Sequence, residues 1–225
     1  MSVLTASAVP EEDMNKDHWE RIYQAKQPTE VSWYQPEARL SAELIIRVSP
    51  DGDAPIIDVG GGASTLVDGL LKAGYSDVTV LDLSQAALDR AKERLGEKAE
   101  LVHWVVGDIL EVALPAGRFA VWHDRAVFHF LTQEGDRQRY VAQARRALRS
   151  EGHVIAASFG LDGPTRCSDL DVVRYSPEAL HAEFGAGFRL LDSVREDHQT
   201  PAGGSQAFVY CLCRVEAETE LQGSQ

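Results

Sequence analysis

Apolar residues follow two different spacings along this chain, and the two spacings predict strands and helices. Short continuous apolar runs begin near Pro55, Val78, Leu101, Phe119 and Gly152. Most of them are followed by segments in which apolar residues recur every three to four positions. The first pattern is typical of strands buried on both faces, and the second of helices packed along one face. The chain is therefore predicted to alternate strands with helices.

The alternation predicts an α/β fold with a Rossmann-like, doubly wound and mostly parallel sheet of seven strands. Crossovers between parallel strands are right-handed, so helices are expected on both faces of the sheet. Two last apolar runs, residues 188–196 and 207–215, flank a loop that contains proline and glycine. This arrangement is typical of a terminal antiparallel hairpin.

Two helices are predicted before the first strand, at residues 16–26 and 37–48, with an aromatic loop at 31–36 between them. Trp19 and Tyr23 share one face of the first helix, where core packing is expected to outweigh ligand contact. These helices are interpreted as a lid. The predicted organisation is a flexible arm at 1–13, one domain at 14–215 and a flexible tail at 216–225. The domain divides into lid helices at 14–50, a cofactor-binding core at 55–160, and the C-terminal sheet with substrate loops at 161–215.

Composition narrows the classes of partner. The formal net charge is −13, which disfavours a nucleic-acid binder because such proteins carry a basic excess. No apolar run is long enough to predict a membrane span. Three cysteines, Cys167, Cys211 and Cys213, provide neither a disulfide framework nor zinc-ligand spacing, so no metal site is predicted. A reduced, cytoplasmic setting is expected.

A run of three glycines directly follows the first buried strand. An apolar stretch at 55–57 leads into Asp58, and the glycines stand two residues later. Glycine permits a sharp turn and lets a ligand approach the backbone closely. The dinucleotide fingerprint requires a further glycine where Thr65 stands, and the phosphate-binding loop requires a Gly-Lys-Ser/Thr ending that is absent here. A turn for another nucleotide-like cofactor is predicted at Gly60, Gly61 and Gly62.

Acidic residues stand at the ends of four predicted strands: Asp58, Asp82, Asp108 and Asp124. Ligands of such sheets bind beyond the carboxyl ends of the strands. Asp82 is suited to accept both hydroxyls of a ribose. Asp108 is suited to accept from an adenine amino group, with the amide of Ile109 facing a ring nitrogen.

This ordered set of turn and acids resembles the class I S-adenosylmethionine-dependent methyltransferases over about residues 55–160. The family pattern is acid-x-Gly-x-Gly-x-Gly, and here Ser64 replaces the last glycine. The resemblance implies S-adenosylmethionine as cofactor and S-adenosylhomocysteine as product. Taken with the strand-end acids and the aromatic loop, it implies cofactor contacts at Trp33, Asp58, Gly60, Gly61, Gly62, Asp82, Leu83, Asp108, Ile109, Asp124 and Arg125.

Two other segments resemble narrower groups of methyltransferases. The segments 17–23 and 32–35 are similar to the lid of small methyltransferases that include protein-lysine enzymes. The segment 122–131 is similar to a motif found there, in thiopurine-type S-methyltransferases and in tellurite-resistance-type enzymes. These similarities support the class of reaction more than the substrate.

Methyl transfer from a sulfonium is an in-line displacement that requires a placed nucleophile and exclusion of water. Trp33 and Tyr34 are candidates for closing the site, with cation–π contact to the sulfonium or core packing as alternatives for Trp33. The resemblance implies that Asp124 meets the methionine ammonium, and Asp124 is also a candidate catalytic residue. Arg125 is interpreted as a partner of the cofactor carboxylate or of an anionic substrate, or as a surface ion pair. His129 is a candidate general base or a packing histidine.

Three functional hypotheses follow. The first is methylation of a small molecule, since a short chain with one lid leaves little room for a protein-docking domain. The second is methylation of a protein lysine, favoured by the lid resemblance and by the acidic charge. The third is a cofactor-binding protein without catalysis. The acceptor atom and the oligomeric state stay open.

Overall fold

The computed structural model describes residues 11–216, and the side chains from Lys16 onward. Most of the arm predicted at 1–13 and of the tail predicted at 216–225 lies outside the described residues. Where the arm is described, residues 11–13 already belong to the first helix. None of the helices described is long and apolar enough to cross a lipid bilayer.

Seven strands form one sheet, as the alternation predicted. The order across the sheet is β3-β2-β1-β4-β5-β9-β8, with β1 to β5 parallel and with β8 and β9 antiparallel to their neighbours. The remaining two strands, β6 and β7, form a separate small hairpin. The bounds are β1 Ile56–Val59, β2 Val78–Asp82, β3 Val102–Val106, β4 Phe119–Arg125, β5 Leu148–Phe159, β6 Arg166–Cys167, β7 Leu170–Asp171, β8 Phe188–Gln199 and β9 Ser205–Val215.

The helices cover both faces of the sheet, and two of them begin at a serine cap. The hydroxyl of Ser84 accepts from the amide of Ala87, and that of Ser176 accepts from Ala179. These bonds satisfy amides that the first helical turn leaves unpaired. The bounds are α1 Glu11–Ala25, α2 Arg39–Val48, α3 Leu66–Lys72, α4 Gln85–Leu95, α5 Glu134–Ala147 and α6 Pro177–Phe184.

The sheet separates two apolar layers, so neighbouring residues of one strand face opposite sides. On β4, Val121 belongs to the layer covered by α2 and α3, whereas Trp122 belongs to the layer covered by α5 and α6. His123 is paired with Asp58 on the adjacent strand, and Asp124 with Val59. Because side chains alternate along a strand, His123 and Asp58 share one face and Asp124 points to the other.

Two strands begin or end away from their predicted positions. β4 continues to Arg125, past the end of the apolar run that begins at Phe119, because it is paired with a strand on each side over most of this stretch. β5 begins at Leu148, directly after α5, instead of at Gly152, and Leu148 is paired with Phe119. Pairing across the sheet therefore extends strands into polar residues whose local pattern predicts loops.

Candidate active site

The glycine turn has a conformation and an environment that side chains do not fit. Gly60 and Gly62 have φ values of 66° and 41°, in the left-handed region that favours glycine. A Cβ on Gly60 would stand 2.0 Å from Cγ2 of Val127, and one on Gly61 would stand 2.5 Å from Oδ2 of Asp58. The glycines are therefore required by the close approach of these two side chains and by the backbone turn.

Asp82 ends β2 beside the glycine turn and is almost fully buried. A Cβ on Gly62 would stand 2.8 Å from Oδ2 of Asp82, and Oδ1 accepts from the amide of Ser84 at 2.8 Å. Burial raises the pKa of Asp82 to about 7, and the negative charges of Asp58 and Glu20 add to this effect. A carboxylate held so close to protonation gains most from a ligand that donates hydrogen bonds to it.

The end of β3 is tied to the end of β2. The amide of Gly107 donates to the carbonyl oxygen of Asp82 at 3.0 Å, and Oδ1 of Asp108 accepts from the amide of Leu110 at 2.8 Å. The side chain of Asp108 thus fixes the turn in which Ile109 lies. Asp82, Asp108 and Ile109 line one wall of the same cavity, as the strand-end pattern predicted.

Aromatic side chains of α1 and of the following loop form the opposite wall. The ring centroids of Trp19 and Trp33 are 5.7 Å apart, and those of Tyr23 and Trp33 are 6.3 Å apart, both with edge-to-face geometry. A Cβ on Gly62 would stand 3.3 Å from the hydroxyl of Tyr23. Trp19 and Tyr23 therefore pack against the lid and also line the cavity, although core packing was the expected role.

Glu20 connects the lid helix to the start of α4. Its Oε2 accepts from the hydroxyl of Ser84 at 2.7 Å and from the amide of Ala86 at 3.2 Å. Ser84 is the N-cap of α4 and lies two residues after Asp82, the last residue of β2. The lid is thus attached one turn away from the carboxylate that faces the cavity.

Two cavities meet at Gly60, Trp33 and Arg125. The larger has a volume of about 1000 Å³ and lies between the lid, the ends of β2 and β3 and the segment 126–133. The smaller has a volume of about 50 Å³ and lies between the loop 33–35 and the glycine turn. A buried polar turn, a wide cavity and a narrow side cavity are therefore adjacent at the carboxyl ends of the strands.

Comparison with known proteins agrees with this arrangement. Residues 56–152 match the family model described as a methyltransferase domain. The eEF1A lysine and N-terminal methyltransferase of Mus musculus is 27% identical over 149 residues, which make up 64% of this chain but only 21% of that relative. The EEF1A lysine methyltransferase 2 of Homo sapiens is 25% identical over 205 residues, or 83% of this chain and 79% of that relative.

A solved structure shares the fold along nearly the whole chain. It is the 1,6-didemethyltoxoflavin-N1-methyltransferase of Burkholderia thailandensis with bound 1,6-didemethyltoxoflavin and S-adenosylhomocysteine. Its TM-score is 0.66 at 19% identity, and the alignment covers 96% of this chain and 94% of that one. The matching family model, the relatives and the shared fold together support a class I S-adenosylmethionine-dependent methyltransferase domain. The resemblance stated from the glycine turn and strand-end acids is confirmed.

Arg125 lies at the junction of the two cavities of the methyltransferase domain and is held by three elements. Its guanidinium donates to the carbonyl oxygen of Trp33 and to Oε2 of Glu196, each at 3.2 Å, and to the hydroxyl of Tyr210 at 3.0 Å. The guanidinium also stacks 4.1 Å from the ring centroid of Phe208. Arg125 therefore forms a largely buried ion pair with Glu196, and not a surface one. It joins the lid loop to the C-terminal hairpin.

Asp124 does not line either cavity. It is fully buried, and its carboxylate accepts from the amides of Val127 and Phe128 at 2.9 and 3.0 Å and from the hydroxyl of Tyr140. Burial raises its pKa to about 6. Both of its oxygens accept hydrogen bonds on the face of the sheet opposite to Asp58. The geometry therefore gives this side chain a structural role at the turn after β4.

His129 is also fully buried and does not line either cavity. Its ring packs 4.5 Å from that of Phe130 and 4.7 Å from that of Phe159, and neither ring nitrogen has a hydrogen-bond partner among the described residues. Burial, with the charge of Arg125 nearby, lowers its pKa to about 3. The geometry is that of a neutral packing histidine, which was the alternative interpretation.

Several cavity residues were not assigned to the site from the sequence. Cys167 belongs to the small hairpin of β6 and β7, where burial raises the pKa of its thiol to about 11. Arg21 and Leu131 line the same cavity. Only Arg21 carried a detectable signal, since it stands on the lid helix between Trp19 and Tyr23. The hairpin is set by tertiary contacts that no local spacing reveals.

Proposed function

We propose that this protein transfers a methyl group from S-adenosylmethionine to a small-molecule acceptor. The observation that carries this proposal is the junction of the glycine turn with Asp82 at one end of a cavity closed by an aromatic lid. The adenosine part of the cofactor is assigned to the larger cavity, with the ribose on Asp82 and Leu83 and the adenine on Asp108 and Ile109. When bound, the sulfonium supplies an activated methyl group.

The amino-acid part of the cofactor is assigned to the smaller cavity, above Gly60, Gly61 and Gly62. Trp33 borders both cavities and is proposed to cover the sulfonium, where an aromatic face attracts a cation by roughly 0.5–2 kcal/mol. Arg125 is proposed to hold the lid loop in place and to lie beside the cofactor. Neither His129 nor Asp124 is assigned a catalytic role, because the geometry encloses both within the protein.

The chain's own contribution to methyl transfer is placement and exclusion of water. An acceptor must approach the methyl group in line from the side opposite the sulfur. The part of the larger cavity lined by Trp19, Phe130, Leu131, Cys167 and Leu170 is the proposed acceptor chamber. Pockets that hold a drug-sized ligand measure roughly 300–1000 Å³. The observed volume therefore supports a cofactor and a small acceptor together.

A protein lysine is the second candidate acceptor, favoured by a relative and by the net charge. A relative that aligns over most of both chains is named as a lysine methyltransferase. The net charge of −13 is also suited to a basic target. A cytoplasmic setting and the absence of nucleic-acid partners remain predictions from composition.

The test is a transfer assay with S-adenosylmethionine labelled in its methyl group. Purified protein is incubated with panels of thiols, amines and metalloid oxyanions, and separately with cell lysate. Label in small molecules alone is the expected result, whereas label on a protein band supports the lysine acceptor. Binding of S-adenosylhomocysteine without any transfer supports a non-catalytic protein, and absence of binding refutes the proposal.

A further inference from the structure

Three polar side chains from three elements form a buried row beneath the glycine turn. Oδ1 of Asp58 on β1 lies 2.7 Å from Nδ1 of His123 on β4, and Nε2 of His123 lies 2.8 Å from the hydroxyl of Ser41 on α2. Their exposed fractions are 3%, 3% and 1%. Buried polar groups are costly unless they are paired, and each member of this row is paired with the next.

The hydrogen bonds have a definite direction. An ionised carboxylate only accepts hydrogen bonds. Nδ1 of His123 therefore carries a proton and donates a hydrogen bond to Asp58. In the neutral tautomer Nε2 then accepts from the hydroxyl of Ser41. Ser41 therefore selects the tautomer and orients the ring, and the ring in turn orients the carboxylate. Such a partner at the far nitrogen is the usual means of fixing a histidine.

The contacts follow the order of a serine–histidine–aspartate triad, but the environment differs from a hydrolase site. The hydroxyl of Ser41 lies at the far end of the row, 3.5 Å from the hydroxyl of Tyr210, and the residue is almost wholly buried. The open end is the carboxylate of Asp58, which faces the glycine turn. The row is thus built to present an acceptor oxygen and not a nucleophile.

The second oxygen of Asp58 faces the smaller cavity. No described residue donates to Oδ2, and a Cβ on Gly61 would stand only 2.5 Å from it, so the glycine leaves it accessible. Asp124, the other candidate for an ammonium partner, has its oxygens taken up on the opposite face. The negative charge available in the smaller cavity is therefore that of Asp58.

We propose that Ser41 and His123 are positioning residues, which hold Asp58 so that Oδ2 accepts from the ammonium group of the cofactor's methionine part. The inference rests on the proposed function, because it assigns one end of the proposed cofactor. Ser41 and His123 also line the smaller cavity, but the ring nitrogens and the hydroxyl are engaged within the row. Their effect is confined to the amino-acid end, since Asp82 and Asp108 lie in the other cavity.

The test compares two ligands that differ only in that end. S-adenosylhomocysteine has the amino-acid part, whereas 5′-methylthioadenosine keeps the adenosine and the thioether but lacks it. Both are titrated calorimetrically into the wild type, His123→Leu, His123→Asn and Ser41→Ala. His123→Asn keeps a donor where Nδ1 stands. Ser49→Ala is the matched control, since Ser49 is a buried serine just beyond the same helix and outside the row.

His123→Leu is expected to weaken binding of S-adenosylhomocysteine by about tenfold or more, because a hydrogen bond to a charged group is lost. Its affinity for 5′-methylthioadenosine stays within about twofold of the wild type, because distant sites that are not coupled change each other's free energies by only tenths of a kcal/mol. His123→Asn recovers most of the loss, and Ser41→Ala weakens only S-adenosylhomocysteine. Ser49→Ala changes neither affinity.

Equal weakening of both ligands would show a merely structural role and overturn the inference, as would unchanged affinity for S-adenosylhomocysteine. If His123→Leu does not fold, the same comparison is decided by Ser41→Ala, which alters no volume beyond one oxygen. Failure of the wild type to bind S-adenosylhomocysteine refutes the proposed function instead, so the two failures are distinguishable.

Discussion

The buried carboxyl of Asp82 is expected to make the stability of the cofactor-free protein fall as pH rises. Burial raises its pKa from the usual 3.8 to about 7. Between these values the folded protein keeps a proton that the unfolded chain has lost, and stability decreases with pH wherever the folded state binds more protons. The decrease therefore begins near pH 4 and ends near pH 7.

Asp82→Asn removes this dependence, because asparagine does not titrate. The difference between a pKa of about 7 and one of 3.8 amounts to about 4 kcal/mol at 1.36 kcal/mol per pKa unit. About 2 kcal/mol of it falls between pH 5.5 and 8, a range accessible to experiment. The free energy of unfolding of the variant, relative to the wild type, is expected to rise by that amount across the range.

The measurement is denaturant unfolding of both proteins at intervals from pH 5.5 to 8. Asp89→Asn is the control, since Asp89 is an exposed acid on α4 and its loss leaves the cavity intact. Any constant difference between Asp82→Asn and the wild type reflects packing and is ignored. Parallel pH curves for the two proteins would refute the argument that desolvation raises the pKa of Asp82.

The protonation of Asp82 is also expected to make cofactor binding depend on pH. Ribose hydroxyls donate to an ionised Asp82, so binding of S-adenosylhomocysteine below pH 7 requires loss of a proton and weakens by up to about tenfold per pH unit. Above pH 7 the affinity is expected to level off, and Asp82→Asn loses most binding throughout. Calorimetry in buffers of different ionisation enthalpy measures the released proton, and pH-independent affinity would contradict the ribose assignment.

Three further outcomes are expected. Gly60→Ala loses about 1–3 kcal/mol of stability in denaturant, since its φ is left-handed and its Cβ meets Val127, while Gly69→Ala, with open space around it, loses none. Glu20→Gln raises the KM for the cofactor more than it lowers kcat, because the hydrogen bond from Ser84 to residue 20 loses its charged acceptor; an unchanged KM would contradict this. His129→Leu keeps the pH profile of kcat, since a pKa of about 3 leaves the ring neutral; a lost or shifted limb would restore His129 as the base.

Local sequence patterns were sufficient to predict the layers of the fold and the class of cofactor. Buried parallel strands have long apolar runs because both faces are covered, so the central strands could be located without a structure. The glycines and Asp82 were also predictable, because a turn that approaches a ligand needs glycine and strand ends converge at one edge of the sheet. Both caps followed from short-range hydrogen bonds within one turn.

What the sequence could not show is which face of the sheet a strand-end residue occupies and what it meets there. Asp124 and His123 are neighbours in the chain, but pairing of β4 with β1 sends one toward Tyr140 and the other toward Asp58. A shift of one residue in a strand exchanges the two faces. The roles of Asp124, His129 and the row of Ser41, His123 and Asp58 were decided by long-range packing, because burial and partner choice depend on residues distant in the chain.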